Sequence, residues 1–367
     1  MSPLSPGTST KPRKGLLAAP LTRSDDEKQG RGQRGKVVRR LAIYLALGGL
    51  LYVALRNVPL PDIWEALGQL RVSQLALILL INALVIVSIT ARWWIIVRAE
   101  NAAVPFLSLV GYRLSVFGLS YFTPGPQVGG EPLQVFYLQR NHGISFARAT
   151  SAVIMDKLLE FLANFILIGA GLTAAARVGL LSRTSTQVSW SLIPLAVVLA
   201  WPLVHLVLLY HGRYPMGSLL RSLAPVVGSR AWMRLIMVAE RMAASFTRRR
   251  PGSVLMALGF SLLAWGGMAL EYFLIASFLS ARLSFEQTLA ALTAALVAFL
   301  MPLPGGLGAL EASQVYALET LGYAPAIGIS ISLIMRGRDI INGTIGLVLA
   351  GRQTKKRRLE SEISSVS

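Results

Sequence analysis

The chain reads as an all-α polytopic membrane protein: six full spans plus two re-entrant helical hairpins, about eight membrane segments, built as an inverted internal repeat. Three observations carry that reading. The sequence is 54% hydrophobic and only 14% charged, with mean hydropathy +0.57; soluble domains carry about 25% charged residues. Apolar runs recur at the roughly 20 residues that a helix needs to cross about 30 Å of hydrocarbon. A Pro-Gly motif also occurs twice. Pro124-Gly125 is followed by Glu131, Gln134, Val135 and Leu138, and Pro304-Gly305 by Glu311, Gln314, Val315 and Leu318. The register holds without a gap through Ile154-Met155 against Ile334-Met335 and Ala170-Gly171 against Ala350-Gly351. Repeats with Gly/Pro-interrupted apolar segments build sites at mid-membrane depth.

In chain order, residues 1–37 form a polar, basic tail, expected to be disordered and cytoplasmic. Full spans are expected at about 38–56, 74–97, 149–176, 190–211, 253–278 and 325–350. Residues 105–130 and 286–311 are apolar but broken in their second halves by Pro-Gly, so each is expected to enter and leave by one side; if each crosses fully instead, the chain has up to ten spans and the parity holds. Such backbone is tolerated at depth only where protein or a watery cavity covers it. Residues 38–351 together make one transmembrane domain, and 352–367 a basic C-terminal tail.

Positive charge sets the orientation. The stretch 1–40 holds ten Lys/Arg; 212–250 holds eight against one acid, Glu240; the C-terminal tail holds five. The alternate connections hold few. With six spans and two hairpins, every basic stretch falls on one side. That side is expected to be the cytoplasm, with both termini there and the chain in the plasma membrane. Three spans separate the two hairpins, an odd number, so the copies have opposite orientation. The 212–250 stretch mixes Leu219, Leu220, Leu223, Ile236 and Val238 with arginines. It fits amphipathic helices at the inner headgroup level or a connector packed on the bundle.

Ionisable groups inside spans are costly and mark function. Asp156 and Glu160 lie one turn apart, with Lys157 and Glu160 an i,i+3 pair. The second copy carries Arg336, Arg338 and Asp339, with Arg336 and Asp339 again i,i+3. The aligned position 156/336 is acidic in one copy and basic in the other, so Asp156 and Arg336 are expected to approach, as an exchangeable site or a structural bridge. Glu131 and Glu311 each follow a Pro-Gly turn, placed to cap freed N–H groups or to meet a cationic headgroup. Arg113 lacks a nearby acid in sequence and suits a lipid phosphate or Glu131. Arg92 is expected to snorkel to the interface beside Trp93 and Trp94. Glu271 sits deep with no local partner, which leaves proton coupling or an inter-helix bond with arginine open. Pro124, Gly125, Gly129, Gly130, Pro304, Gly305, Gly306 and Gly308 are the candidate turn and hinge residues.

Several classes are disfavoured. There is no cysteine, the three histidines lack a ligand spacing, and no GxxxxGK[ST], HExxH or GxSxG motif occurs. No catalytic residue, metal or cofactor is expected, and the chain is not expected to be an enzyme. The net charge of +19 follows the topology and does not imply nucleic acid.

The residues quoted above resemble the flippase-like membrane domain of the lysylphosphatidylglycerol synthase family. The resemblance covers about residues 40–350. It rests on Arg92-Trp93, Gly118-Leu-Ser-Tyr-Phe-Thr-Pro-Gly125 with Gly129-Gly130-Glu131, and Ala149 through Val153-Ile-Met-Asp156-Lys157 with Glu160. It continues in Pro302-Leu-Pro-Gly-Gly-Leu-Gly308 with Glu311, and in Arg336. Gln134 stands where family members often carry arginine. The family's soluble aminoacyl-transferase domain is expected to be absent. The resemblance implies a lipid translocase acting on a phospholipid or polyprenyl-linked lipid. Its expected partners are membrane lipids, a lipid synthase or glycosyltransferase, and a second copy of itself. A small-solute or ion-coupled transporter and an accessory subunit of a lipid-modifying system stand as alternatives.

Overall fold

In this computed structural model, the described residues are 70–100, 103–122, 130–180, 203–227, 231–299 and 308–366, with isolated positions at 65, 68 and 201. Side chains are described through Arg352, apart from a few between 224 and 239. The expected tail 1–37, the span 38–56, most of the span 190–211, and the turn residues Pro124, Gly125, Gly129, Pro304, Gly305 and Gly306 lie outside the described residues.

Ten helices are numbered here: α1 (Val72–Ala99), α2 (Phe106–Phe122), α3 (Glu131–His142), α4 (Phe146–Arg177), α5 (Pro215–Val227), α6 (Ala231–Arg249), α7 (Pro251–Phe278), α8 (Phe285–Phe299), α9 (Ala309–Thr320) and α10 (Pro325–Val366). Residues 203–210 are also helical, and no strand occurs among the described residues. Helices α5, α7 and α10 each begin at a proline, whose fixed φ suits the first helical position and whose missing N–H leaves no donor orphaned. Helix α3 ends at Gly143 with φ +63°, the left-handed cap that only glycine adopts at little cost.

Helices α1, α4 and α7, of 28, 32 and 28 residues, are long and apolar enough to cross a membrane. The limbs around the Pro-Gly stretches are short: α2 has 17 residues, α8 has 15, and α3 and α9 have 12 each. With a helical rise of about 1.5 Å per residue, none of these spans a hydrocarbon core of roughly 30 Å. The return limbs run past the expected hairpin ends at 130 and 311, to His142 and Thr320. Glu131 and Glu311 thus sit in the first turn of a helix rather than at the close of a hairpin. The last helix does not stop at 350 but runs to Val366.

Helix α1 packs most extensively on α7; α2 packs on α10, and α8 on α4. Small residues bring these backbones close. A Cβ on Gly118 of α2 would strike the Gly343 carbonyl of α10, and one on Gly346 would strike the Leu114 carbonyl. Between α4 and α8, a Cβ on Gly171 would meet the Thr293 side chain. Two apolar cores follow. One centres on Trp93, Ile96, Leu138, Met155 and Leu159, joining α1, α3 and α4 to Phe246 of α6; the other on Ile275, Leu292, Leu310, Leu318 and Met335 of α7–α10.

Outward faces are apolar as well. Leu80 and Leu84 of α1 are 57% exposed, and Leu255, Leu262 and Leu263 of α7 more so, while Asn82, Arg92 and Glu271 of the same two helices are buried. Apolar outside and polar within is the pattern of a chain solvated by lipid. Helices α5 and α6 satisfy part of each sequence expectation. Helix α6 packs Ala243, Ala244 and Phe246 inward against α4, while Arg234, Val238, Arg241 and Arg248 stay exposed. The buried Glu240 accepts the Met216 and Gly217 N–H groups at 2.9 and 2.6 Å, closing the α5 N-terminus.

Overpacking at a close backbone approach costs about 1–3 kcal/mol. Gly118→Val and Gly346→Val should therefore lower the melting temperature of the purified protein by several degrees. Gly266→Ala in α7, where a Cβ meets nothing within 4 Å, should leave it unchanged or slightly raised. Equal melting temperatures for all three variants would contradict the α2–α10 contact.

Candidate functional site

Asp156 is the deepest charged group of the first cluster, with no exposed surface. Its Oδ1 accepts from Arg92 Nε of α1 at 2.7 Å, and its Oδ2 from the Arg113 guanidinium of α2 at 2.6 Å. One carboxylate from α4 thus ties three helices together. One turn on, Glu160 accepts from Arg92 at 2.8 Å and from Lys157 Nζ at 2.8 Å. Lys157 also reaches Glu131, at the start of α3, at 3.3 Å. Arg113 stacks over Trp93, 5.4 Å from the ring centroid, and Arg92 reaches Ser261 of α7 at 3.4 Å. The cluster holds three cations and three carboxylates. Its exposure is graded: the Asp156 side chain is 0% exposed, those of Lys157, Glu131 and Glu160 about a quarter.

The second cluster is drier. Glu311, the third residue of α9, accepts the Gly308 N–H at 2.9 Å and grips Arg336 of α10 through both its oxygens, one of these contacts at 2.9 Å. Gly308 has φ +78°, the left-handed geometry that aims its N–H at Glu311. Arg336 also meets the Tyr121 hydroxyl of α2. Two residues on, Arg338 lies 2.8 Å from Glu271 of α7 and 2.8 Å from Asp339. Asn82 of α1 donates to Glu271 at 3.4 Å and accepts from Asn342 at 2.8 Å. Tyr272 donates to Gln314, whose amide donates to the Ala291 carbonyl at 3.2 Å.

Both clusters front one cavity of about 390 Å³. Arg113, Lys157 and Glu160 line it from the first copy, and Glu271, Arg338 and Asp339 from the second. Between them the wall is apolar, with Val85, Ile89, Phe117, Trp265 and Leu296 among its residues. Pockets for small organic groups have this size and mix of an apolar wall with a few convergent polar groups.

Several sequence expectations need correcting. Asp156 and Arg336 do not pair: Arg92 and Arg113 hold Asp156, and Glu311 holds Arg336. Arg336 and Asp339 are not partners either, since Arg338 takes Asp339. Arg113 meets Asp156 rather than Glu131. Arg92 does not snorkel: it is 2% exposed, drawn inward by two carboxylates, and Trp93 beside it is fully buried. For Glu271, the open alternative of an inter-helix bond with arginine is the one observed, to Arg338 far along the chain. Of the two turn glutamates, Glu311 caps as expected, whereas Glu131 occupies the first helical position and meets Lys157. Gly130 has an ordinary φ of −79°. Asn82 and Asn342 were missed, and Arg92 and Arg338, though named, were not counted among the site residues. Their signal was available: each is a polar side chain inside an apolar run, and each turns inward.

Breaking one partner of a buried ion pair costs about 3–5 kcal/mol, because a bare charge remains. Asp156→Leu strands two arginines, so it should cost far more stability than Glu131→Gln, whose side chain is about a quarter exposed. Thermal or SDS unfolding of the two purified variants measures the difference. Equal losses would contradict the central place given to Asp156.

Residues 37–346 match the family described as the lysylphosphatidylglycerol synthase TM region. A UPF0104 membrane protein of Pyrococcus horikoshii is 25% identical over 289 residues, which cover 73% of this chain and 82% of that protein. No solved structure matches the chain. The matched span takes in both charged clusters and the cavity they share, and this protein is a member of the lysylphosphatidylglycerol synthase transmembrane-region family.

Proposed function

We propose that this protein is a flippase-like translocase that carries a lipid headgroup between the leaflets of the plasma membrane. The observation that carries the reading is the shared cavity: charged side chains from both copies front one apolar-walled space, inside helices whose outer faces are apolar. A lipid headgroup crosses a bilayer slowly because its charges lose their water. A cavity lined by ion pairs removes that penalty by exchange. The headgroup phosphate takes the place of a carboxylate on Lys157 and Arg113, and the carboxylate it frees, Glu160 or Glu131, meets a cationic or hydroxyl group of the same headgroup. Each broken pair is replaced by one of the same kind, so no bare charge is left in low dielectric. Asp156 with Arg92 is the fixed strut, and the quarter-exposed Lys157, Glu160 and Glu131 are the exchanging members.

In this reading the chain is an inverted repeat of six spans and two re-entrant hairpins with both termini cytoplasmic. The reciprocal packing of α2 on α10 and α8 on α4, with α1 on α7, is what a two-fold operation exchanging the copies would produce. The α2–α3 and α8–α9 limbs, each too short to cross alone, fit hairpins that enter from opposite faces. A separate lipid synthase or glycosyltransferase supplies the lipid, and the family resemblance supports a phospholipid or polyprenyl-linked substrate.

Reconstitution with fluorescent phospholipid, read by quenching from outside the vesicle, tests this. Lys157→Gln should slow exchange between leaflets by about tenfold or more, equivalent to about 1.4 kcal/mol on the barrier, with the melting temperature nearly unchanged. Wild-type protein that leaves lipid exchange at the rate of empty vesicles, or a variant as fast as wild type, would contradict the reading.

A further inference from the structure

The charged groups of the first cluster have partners; the neutral polar groups around it do not. Gln134 is the one residue that α3 contributes to the cavity wall, and it is 4% exposed. Its Oε1 is buried without a hydrogen bond, and its amide nitrogen donates to nothing among the described residues. Asn164 lies one turn beyond Glu160 on α4, and Ser120 two turns beyond Arg113 on α2. Both line the same cavity, and neither side chain has a hydrogen bond among the described residues. Arg113 also keeps a donor spare: its Nε is buried without an acceptor, although a terminal nitrogen holds Asp156.

The second copy shows what a glutamine does at this register when it serves packing. Gln314 occupies the corresponding place, is fully buried and lies outside the cavity wall. Its Oε1 accepts from the Tyr272 hydroxyl, and its amide donates to the Ala291 carbonyl at 3.2 Å. Gln134 is the same side chain with neither bond. A buried amide left unpaired carries a desolvation cost, so a molecule that supplies hydrogen-bond partners gains what the fold leaves out. Rotation about χ3 turns either end of the Gln134 amide to the cavity. Amides and a hydroxyl donate and accept together, as polyol and sugar hydroxyls do; a quaternary ammonium offers them neither. Glu131, one turn before Gln134 on α3, pairs with Lys157, so charged and neutral groups share this side of the cavity.

We propose that Gln134, with Asn164 and Ser120, forms a hydroxyl subsite in the same cavity as the phosphate position at Arg113 and Lys157. It selects headgroups in which the phosphate carries a hydroxylated substituent, a polyol or a sugar. The inference rests on the translocase reading for the place of the phosphate, and deepens it to a substrate class. A soluble polyol phosphate has the same chemistry, so the test includes one.

Binding to the purified protein in detergent requires no lipid movement. Dioctanoyl phosphatidylglycerol and dioctanoyl phosphatidylmethanol share charge and chains and differ only in the headgroup alcohol. Phosphatidylglycerol should bind with a Kd about tenfold lower or better, because a methyl headgroup leaves the amide unpaired. Gln134→Leu should abolish that preference by weakening phosphatidylglycerol alone, with a melting temperature level or raised, since no native bond is lost. Asn164→Leu should reduce the preference too, which keeps the test decisive if the first variant fails to fold. Gln314→Leu should melt lower and keep the preference. Glycerol 3-phosphate bound as tightly as the lipid would assign the subsite to a soluble solute and overturn the lipid reading. Failure to bind either lipid, equal affinity of the wild-type protein for both, or an undiminished preference in the folded variants overturns the proposal; water alone then serves these groups. A hydroxyl preference in binding without lipid exchange in vesicles would overturn the translocase reading alone.

Discussion

An ionised side chain inside a bundle of apolar-faced helices must find a partner of opposite charge, and Asp156 is where that constraint is tightest. It has no exposed surface, and each of its oxygens is held by an arginine from a different helix. The geometry of α1, α2 and α4 follows, because all three must bring a charged group to one point. Glu160, one helical turn further along α4, extends the same demand to Lys157, and Lys157 to the start of α3. The first four helices are therefore positioned by charge as much as by the apolar core of Trp93, Leu138 and Met155.

The second copy solves the same problem with different residues. Arginine stands at 336 where aspartate stands at 156, and its partner comes from α9. Glu131 and Glu311 occupy corresponding positions, yet the first meets a lysine at the cavity edge and the second is buried against an arginine and a left-handed glycine. The first cluster thus grades from a buried carboxylate to quarter-exposed side chains, while the second is more buried throughout, and both open onto the cavity.

Much of the architecture was legible in the sequence. The long apolar helices α1, α4 and α7 follow from hydropathy and length alone, and the Pro-Gly turns mark where α2 and α8 give way to α3 and α9. The site residues were legible by type, since a charged residue in an apolar run has few reasons to be there. Their partners were not. Arg92 reaches Asp156 across 64 positions, Arg338 reaches Glu271 across 67, and Asn342 reaches Asn82 across 260. Local spacing suggested Lys157 with Glu160, which pair, and Arg336 with Asp339, which share a helix face, but Arg336 turns instead to a carboxylate on a facing helix. The sequence shows which faces are polar; which polar faces meet is decided by helix packing, here set by close approaches such as Gly118 on α10.

The account depends on the two copies having opposite orientation, so that their limbs enter from opposite faces and meet at the cavity. The protein contains no cysteine, which makes single-cysteine labelling direct. Ser145 lies in the short connection between α3 and α4, and Thr320 at the end of α9, just before the connection to α10; both are exposed. A membrane-impermeant maleimide should label Ser145→Cys only from the cytoplasmic side and Thr320→Cys only from the outer side. Labelling of both from the same side would contradict the inverted arrangement, and with it the claim that one cavity is built from both halves of the membrane.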